Sequence, residues 1–169
     1  MSSRLPPEHD ECRWLLKALR ETAHELESQV WGLDEEALRW RPADDGWSLK
    51  EHCAHLRDCE EHLLDSLQRI AYGDGADVPA FDADALVLDR DYRQVDLYAA
   101  LERFDELRGR TMTLLWSLAP DDWERGGRHR YRGPVTIAQL VREQNEHDLE
   151  HLWQARRLRE SLTARAGTR

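Results

Sequence analysis

Residues 47–72 read WSLKEHCAHLRDCEEHLLDSLQRIAY, and this stretch carries a clear helix signal. Ser48 followed three residues later by Glu51 is the pattern of a capping box, in which each side chain accepts a hydrogen bond from the other residue's backbone N–H. Trp47, just outside the box, is placed to act as a hydrophobic staple. Apolar residues then recur at helical spacing until Gly73. The stretch therefore predicts a long amphipathic helix.

Three other segments repeat apolar residues with the same period, and no segment shows the strict alternation expected of strands. They lie within residues 7–30, 97–118 and 136–162. Thr136 and Gln139 form a second capping-box pattern at the start of the last one. The sequence predicts an all-α protein, a four-helix bundle of antiparallel helices with one long crossover loop.

Two connections stand out between the predicted helices. Residues 32–46 contain a short helical turn at residues 34–38. Residues 73–94 are rich in Asp, Gly and Ala, contain Pro79 and show no sustained period, so we expect them to form the crossover, with a lid-like character. Loops of this length are often functional.

Length and charge restrict the classes of function. A chain of 169 residues fits one core, so we expect residues 1–169 to form a single domain. The formal net charge of −10 argues against a nucleic-acid partner. No stretch approaches the ~20 apolar residues of a membrane span and the N-terminus lacks the pattern of a signal peptide, so we expect a cytoplasmic protein without a membrane partner. Cys12, Cys53 and Cys59 form no CxxC pair and are expected to be reduced and partly buried.

The histidines carry the main chemical signal. His147 and His151 lie four residues apart on the last predicted helix, so they project from one face with Cβ atoms about 5 to 6 Å apart and can reach one ion. That face is also the apolar one, and burying a polar group without a partner costs on the order of 2 to 7 kcal/mol. A shared metal would satisfy both imidazoles, and hydrogen bonds within the core are the alternative.

A third metal ligand would come from the helix predicted within residues 47–72. His52 and His55 lie three residues apart and could approach the same ion. Periodicity places His52 slightly further inward, but the phase of a long helix drifts, so spacing alone leaves this choice open. His62 lies two turns further along and is expected to be exposed.

Both histidine stretches resemble motifs of the DinB/YfiT-like family of metalloenzymes. Residues 47–49 followed by 55–60, HLRDCE, are similar to the family's W-S and H-L-x-D-x-E signature. Residues 133–136 leading to residues 147–152, HDLEHL, are similar to its final motif. The resemblance covers roughly residues 10–160, almost the whole chain.

The resemblance implies a four-helix bundle, often a homodimer, with a metal at one end held by three histidines. Carried onto this chain, these are His55, His147 and His151, and His52 becomes the second choice. Zinc is the first choice of metal, with nickel or iron as alternatives, because imidazole donors alone do not select among them. Three imidazoles leave an open coordination position, where a metal-bound water or thiolate would act as the nucleophile.

Several functions are compatible with such a site. Because the family includes transferases that use low-molecular-weight thiols, the resemblance implies a metal-dependent enzyme acting on a small-molecule substrate, either a small-thiol-dependent S-transferase or a hydrolase. The alternatives are a non-catalytic, stress-related bundle that binds a small ligand or metal, and a metal-free histidine network that works through dimerisation. Residues 147–151 also match the HxxEH pattern of inverted zinc peptidases, but only Glu160 follows as an acidic ligand, which disfavours a peptidase.

Charged side chains near the proposed ligands are ambiguous. Four acidic residues could orient imidazole N–H groups, namely Glu51, Asp58, Asp148 and Glu150. Glu51 is expected to act as a helix cap, and the other three are expected to be solvated helix charges. His129 lies among arginines in a Gly-rich connection. That group could line a site for an anionic substrate, but an exposed basic turn is the simpler interpretation.

Overall fold

Four long helices account for most of the computed structural model, which describes residues 7–42, 46–73, 75–82, 85–86 and 89–167. In chain order the elements are α1 (Pro7–Val30), α2 (Glu35–Arg39), α3 (Leu49–Tyr72), β1 (Asp77–Val78), a 3-10 turn (Tyr92–Gln94), α4 (Leu97–Ser117), a second 3-10 turn (Pro120–Glu124), β2 (Gly126–His129), β3 (Gly133–Thr136) and α5 (Ile137–Ala166). Parts of the predicted crossover, residues 74, 83–84 and 87–88, lie outside the described residues. Of the helices described, none combines the length and apolarity needed to cross a membrane.

The helix starts follow the capping chemistry read from the sequence. The predicted capping box at α3 is confirmed, because Glu51 N–H donates to the Ser48 hydroxyl and Ser48 N–H donates to the Glu51 carboxylate. At α5 only half of the predicted box forms. Thr136 Oγ1 accepts from Gln139 N–H at 3.2 Å, while the Gln139 side chain donates to Glu143 instead of returning to the cap.

A small sheet corrects the prediction that the chain has no strands. β1 pairs in parallel with β2, and β2 pairs antiparallel with β3, so part of the crossover is joined to the segment before α5. These strands are too short to show an alternating pattern. Gly127 permits their close packing, because a Cβ atom there would lie 2.8 Å from Ile70 Cγ1 and 2.9 Å from Val78 Cγ2.

The long helices form a ring in which α5 packs against α1 and α3, and α4 packs against the same two helices from the other side. Their apolar faces meet in two clusters of buried side chains. One cluster extends under the small sheet and includes Leu19, Leu67 and Ile70. The other lies towards the start of α3 and includes Leu56 and Phe104. Burial of these faces supplies the main stabilisation of the bundle.

A buried guanidinium joins all four long helices. Arg108 on α4 donates to the Leu19 carbonyl of α1 at 2.6 Å and to Asp148 of α5 at 2.6 Å. It also lies 2.8 Å from the Glu60 carboxylate of α3. Burial opposes the positive charge of Arg108, but the carboxylates of Asp148 and Glu60 outweigh that effect and hold its pKa above the ordinary value.

We expect Arg108→Met to destabilise the fold by about 3 to 5 kcal/mol, because it leaves two buried carboxylates without their cation. Urea denaturation measures this free energy of unfolding. Arg103→Met on the same helix is the matched control, since the ion pairs that Arg103 makes with described residues lie at the surface. Its cost should be no more than about 1 kcal/mol. Equal losses in the two variants would contradict the central role of Arg108.

Candidate metal site

Four imidazoles converge where α3 packs against α5. His147 Nε2 lies 3.1 Å from His55 Nε2 and 3.1 Å from His151 Nε2. On the other side of His151, its Nδ1 lies 2.9 Å from His52 Nδ1. The structure therefore brings together the three histidines implied by the family resemblance and also the second choice, His52.

Helical spacing explains this convergence. His52 and His55 lie three residues apart on α3, and both are buried, so both side chains face the interior of the bundle. His147 and His151 lie one turn apart on α5 and are half-buried. The Trp47 ring, just before α3, lies 4.9 Å from the His55 ring and 5.6 Å from the His151 ring, between centroids. The side chain predicted as a hydrophobic staple thus covers one side of the imidazole cluster.

The cluster favours neutral imidazoles. Burial lowers the pKa of His52 to about 4, and burial together with the neighbouring imidazoles lowers that of His55 to about 4 and that of His151 to about 2. Burial also lowers the pKa of His147. Neutral imidazole is the form that binds a metal ion, because its lone pair is free of a proton.

The contacts of His147 fit a shared cation. An imidazole nitrogen offers either one donor or one acceptor, so His147 Nε2 can form a hydrogen bond with only one of its two nitrogen neighbours. Its other ring nitrogen, Nδ1, is buried and has no hydrogen-bond partner among the described residues. Two nitrogens bound to one zinc ion at about 2.0 to 2.1 Å are at most about 4.2 Å apart, and both 3.1 Å distances fall within that limit.

Cys59 is a member of the cluster that the sequence prediction missed. The ligand atoms of His55, Cys59 and His147 all lie within 4.8 Å of one another, and Cys59 Sγ is 3.4 Å from His55 Nε2. His151 lies outside this set of three and adjoins it through His147. The sequence does hold the signal, since Cys59 follows His55 by four residues on one helix face. Which of these side chains bind a metal stays a prediction.

The buried acidic residues have different partners from those expected. Asp58 and Asp148 are both buried and not solvated, and their hydrogen bonds among the described residues go to groups other than imidazole. Asp58 accepts from the Tyr92 hydroxyl at 2.8 Å and from Arg90 at 2.8 Å, which ties the end of the crossover to α3. Glu150 is exposed, as predicted for a helix charge.

A pocket of about 360 Å³ adjoins the cluster on the side of Cys59 and His147. His62 and His129, both expected to be exposed, are half-buried and line it. The His62 ring stacks on Phe81 of the crossover at a centroid distance of 4.4 Å, which corrects the expectation for His62. The remaining lining includes Leu63, Ser66, Val78, Arg132, Leu140, Glu143 and Gln144.

Comparisons with known proteins agree with this fold. A family model described as the DinB superfamily matches residues 18–155. The solved structure of YfiT from Bacillus subtilis is similar with a TM-score of 0.83, covering 96% of this chain and 93% of that one at 19% sequence identity. That protein is described as a probable metal-dependent hydrolase with an unusual four-helix bundle topology. Among curated proteins none matches the chain. The predicted all-α four-helix bundle is thereby confirmed.

Metal-free protein should lose stability as the pH falls from about 6.5 towards 4. Between these pH values the two histidines of the unfolded chain bind protons, whereas the buried imidazoles of His52 and His55 stay neutral in the folded protein. The free energy of unfolding therefore decreases as the pH decreases, by at most about 1.4 kcal/mol per pH unit for each imidazole. Urea denaturation with a chelator at pH 7 and 5.5 measures the slope. His52→Asn should reduce it, whereas the same change at exposed His24 should not. Identical slopes in both variants would contradict this linkage.

Proposed function

The chain belongs to the DinB superfamily, and from that premise and the convergence of its imidazoles we propose that it is a metal-dependent enzyme whose divalent ion is held by His55, His147 and His151. The observation that carries the proposal is the position of His147 Nε2, 3.1 Å from a nitrogen of each of the other two rings. Zinc is the first choice for the ion, with nickel or iron as alternatives.

The residues around the imidazole cluster suit a reaction on a small molecule. A divalent ion held there would lower the pKa of a bound water or thiol and so provide a nucleophile near neutral pH. Trp47 covers the cluster on one side, and the pocket approaches it on the side of Cys59. Within the pocket, apolar side chains can hold the body of a substrate, and the Arg132–Glu143 ion pair and Gln144, whose amide N–H donates to Asp148, form its polar wall.

The reaction we propose is hydrolysis or transfer to a low-molecular-weight thiol. The description of YfiT supports hydrolysis by analogy. The alternative is a non-catalytic, stress-related bundle that binds a small ligand or metal in the same pocket. Turnover of an electrophile that depends on an added thiol would identify the transferase, and turnover without a thiol would identify the hydrolase. We further expect a cytoplasmic protein, and the formal net charge of −10 argues against a nucleic-acid partner.

Protein purified without an affinity tag should contain about one divalent ion per chain, measured by elemental analysis. His55→Ala, His147→Ala and His151→Ala should each reduce this content sharply, because each removes a proposed donor. Chelation should also lower the melting temperature, since a ligand that binds only the native state stabilises it.

Two control variants sharpen the metal experiment. His24→Ala removes an exposed imidazole on α1 and should leave the metal content unchanged. His52→Ala removes an imidazole that contacts His151 through Nδ1, on the side of the His151 ring away from His147. This variant should retain the ion. Full metal content in all three ligand variants would refute the proposed site, and an unchanged melting temperature after chelation would support the metal-free network.

We also propose that the protein is a homodimer, following the family resemblance. Exposed apolar side chains on α1 and α5 support this, namely Trp14, Leu149 and Trp153. Trp14 and Leu149 border a groove of about 690 Å³ between the two helices.

Analytical ultracentrifugation should give twice the chain mass for the wild-type protein and a single chain mass for Trp14→Glu combined with Trp153→Glu, because the added charges would be buried in the interface. Trp116→Glu is the control, since this side chain is equally exposed but lies on α4. A monomeric wild-type protein would contradict the proposal.

A further inference from the structure

Cys59 lies between the imidazole cluster and the pocket. Its sulfur is 3.4 Å from His55 Nε2, and it belongs with His55 and His147 to the set whose ligand atoms lie within 4.8 Å of one another. The same side chain lines the 360 Å³ pocket. We propose that Cys59 binds the same ion as the histidines, as a thiolate on the pocket side. This inference rests on the proposed metal function and goes beyond its three-histidine donor set.

A comparison within α3 separates Cys59 from an ordinary core thiol. Cys53 lies on the same helix and is equally buried, but it packs in the apolar cluster that contains Leu56 and Phe104. Cys59 instead has imidazole nitrogens as neighbours.

Binding of a divalent ion to Cys59 is a simple exchange of a proton for a metal. The S–H bond breaks as the sulfur–metal bond forms, and the proton leaves to solvent, so nothing is oxidised or reduced. Thiolate is a soft donor, and a mixed imidazole and thiolate set suits zinc, whereas magnesium and calcium prefer oxygen donors. His55, His147 and His151 together with this sulfur would hold the ion, and a molecule in the pocket would approach it from the side of Cys59.

Cobalt(II) provides the test, because it reports thiolate ligands by a near-ultraviolet charge-transfer band and imidazole ligands by visible bands alone. Metal-free wild-type protein titrated with Co²⁺ should show both kinds of band. Cys59→Ser should lose the charge-transfer band and keep the visible bands, with a Kd for Co²⁺ raised by about tenfold or more. Cys53→Ser is the matched control and should retain both.

The outcomes separate this inference from the proposed function. Visible bands without a charge-transfer band in the wild-type protein would overturn the role of Cys59 and leave the three-histidine site intact. Loss of the band in Cys53→Ser but not in Cys59→Ser would also overturn it. A wild-type protein that binds no Co²⁺ would overturn both proposals. Absence of the charge-transfer band from the wild-type protein would overturn the inference even if a variant failed to fold, which circular dichroism would reveal. In that case Cys59→Ala is the second variant that assigns a wild-type band to Cys59.

Discussion

The ion pairs of Arg108 constrain the whole bundle. One guanidinium on α4 contacts a carbonyl of α1 and carboxylates of α3 and α5, so these helices cannot rotate or slide independently without exposing a buried charge. Glu60 directly follows Cys59 in the chain, and Asp148 directly follows His147. The interaction therefore also fixes the rotation of the two helices that carry the candidate metal ligands, and it couples the stability of the fold to the geometry of the site.

The buried polar groups around Arg108 reduce the stability of the fold. Two carboxylates share one arginine, which leaves a formal charge of −1, and Arg108 Nε, Thr111 Oγ1 and Asn145 Oδ1 are buried without hydrogen-bond partners among the described residues. Each unsatisfied buried group costs about 1 to 3 kcal/mol. A bundle selected for stability alone would place apolar side chains here. The negative charge does, however, favour a cation nearby, which is consistent with a bundle whose interior serves metal binding.

The sequence predicted the helices well because their signals are local. Capping residues and apolar periodicity place the starts of α3 and α5, and the spacing of His147 and His151 predicts their shared face. The missed features depend on contacts between distant segments. Strands of two to four residues show no period, and nothing local indicates that Gly127 packs against Ile70. Likewise, periodicity cannot distinguish a solvated Asp148 from one paired with an arginine forty residues earlier.

The two halves of the site have different structural origins. The imidazoles and Cys59 project from α3 and α5, whose relative position is fixed by the core and by buried ion pairs. Part of the pocket wall comes from the crossover and the small sheet. Phe81 of the crossover stacks on His62, and His129 lies on β2. Tyr92 and Arg90, both bonded to Asp58, fix the far end of the same crossover to α3. Changes in loop residues such as Phe81 can therefore alter the shape of the pocket without moving the candidate ligands, so the pocket and the candidate ligands can vary independently in this fold.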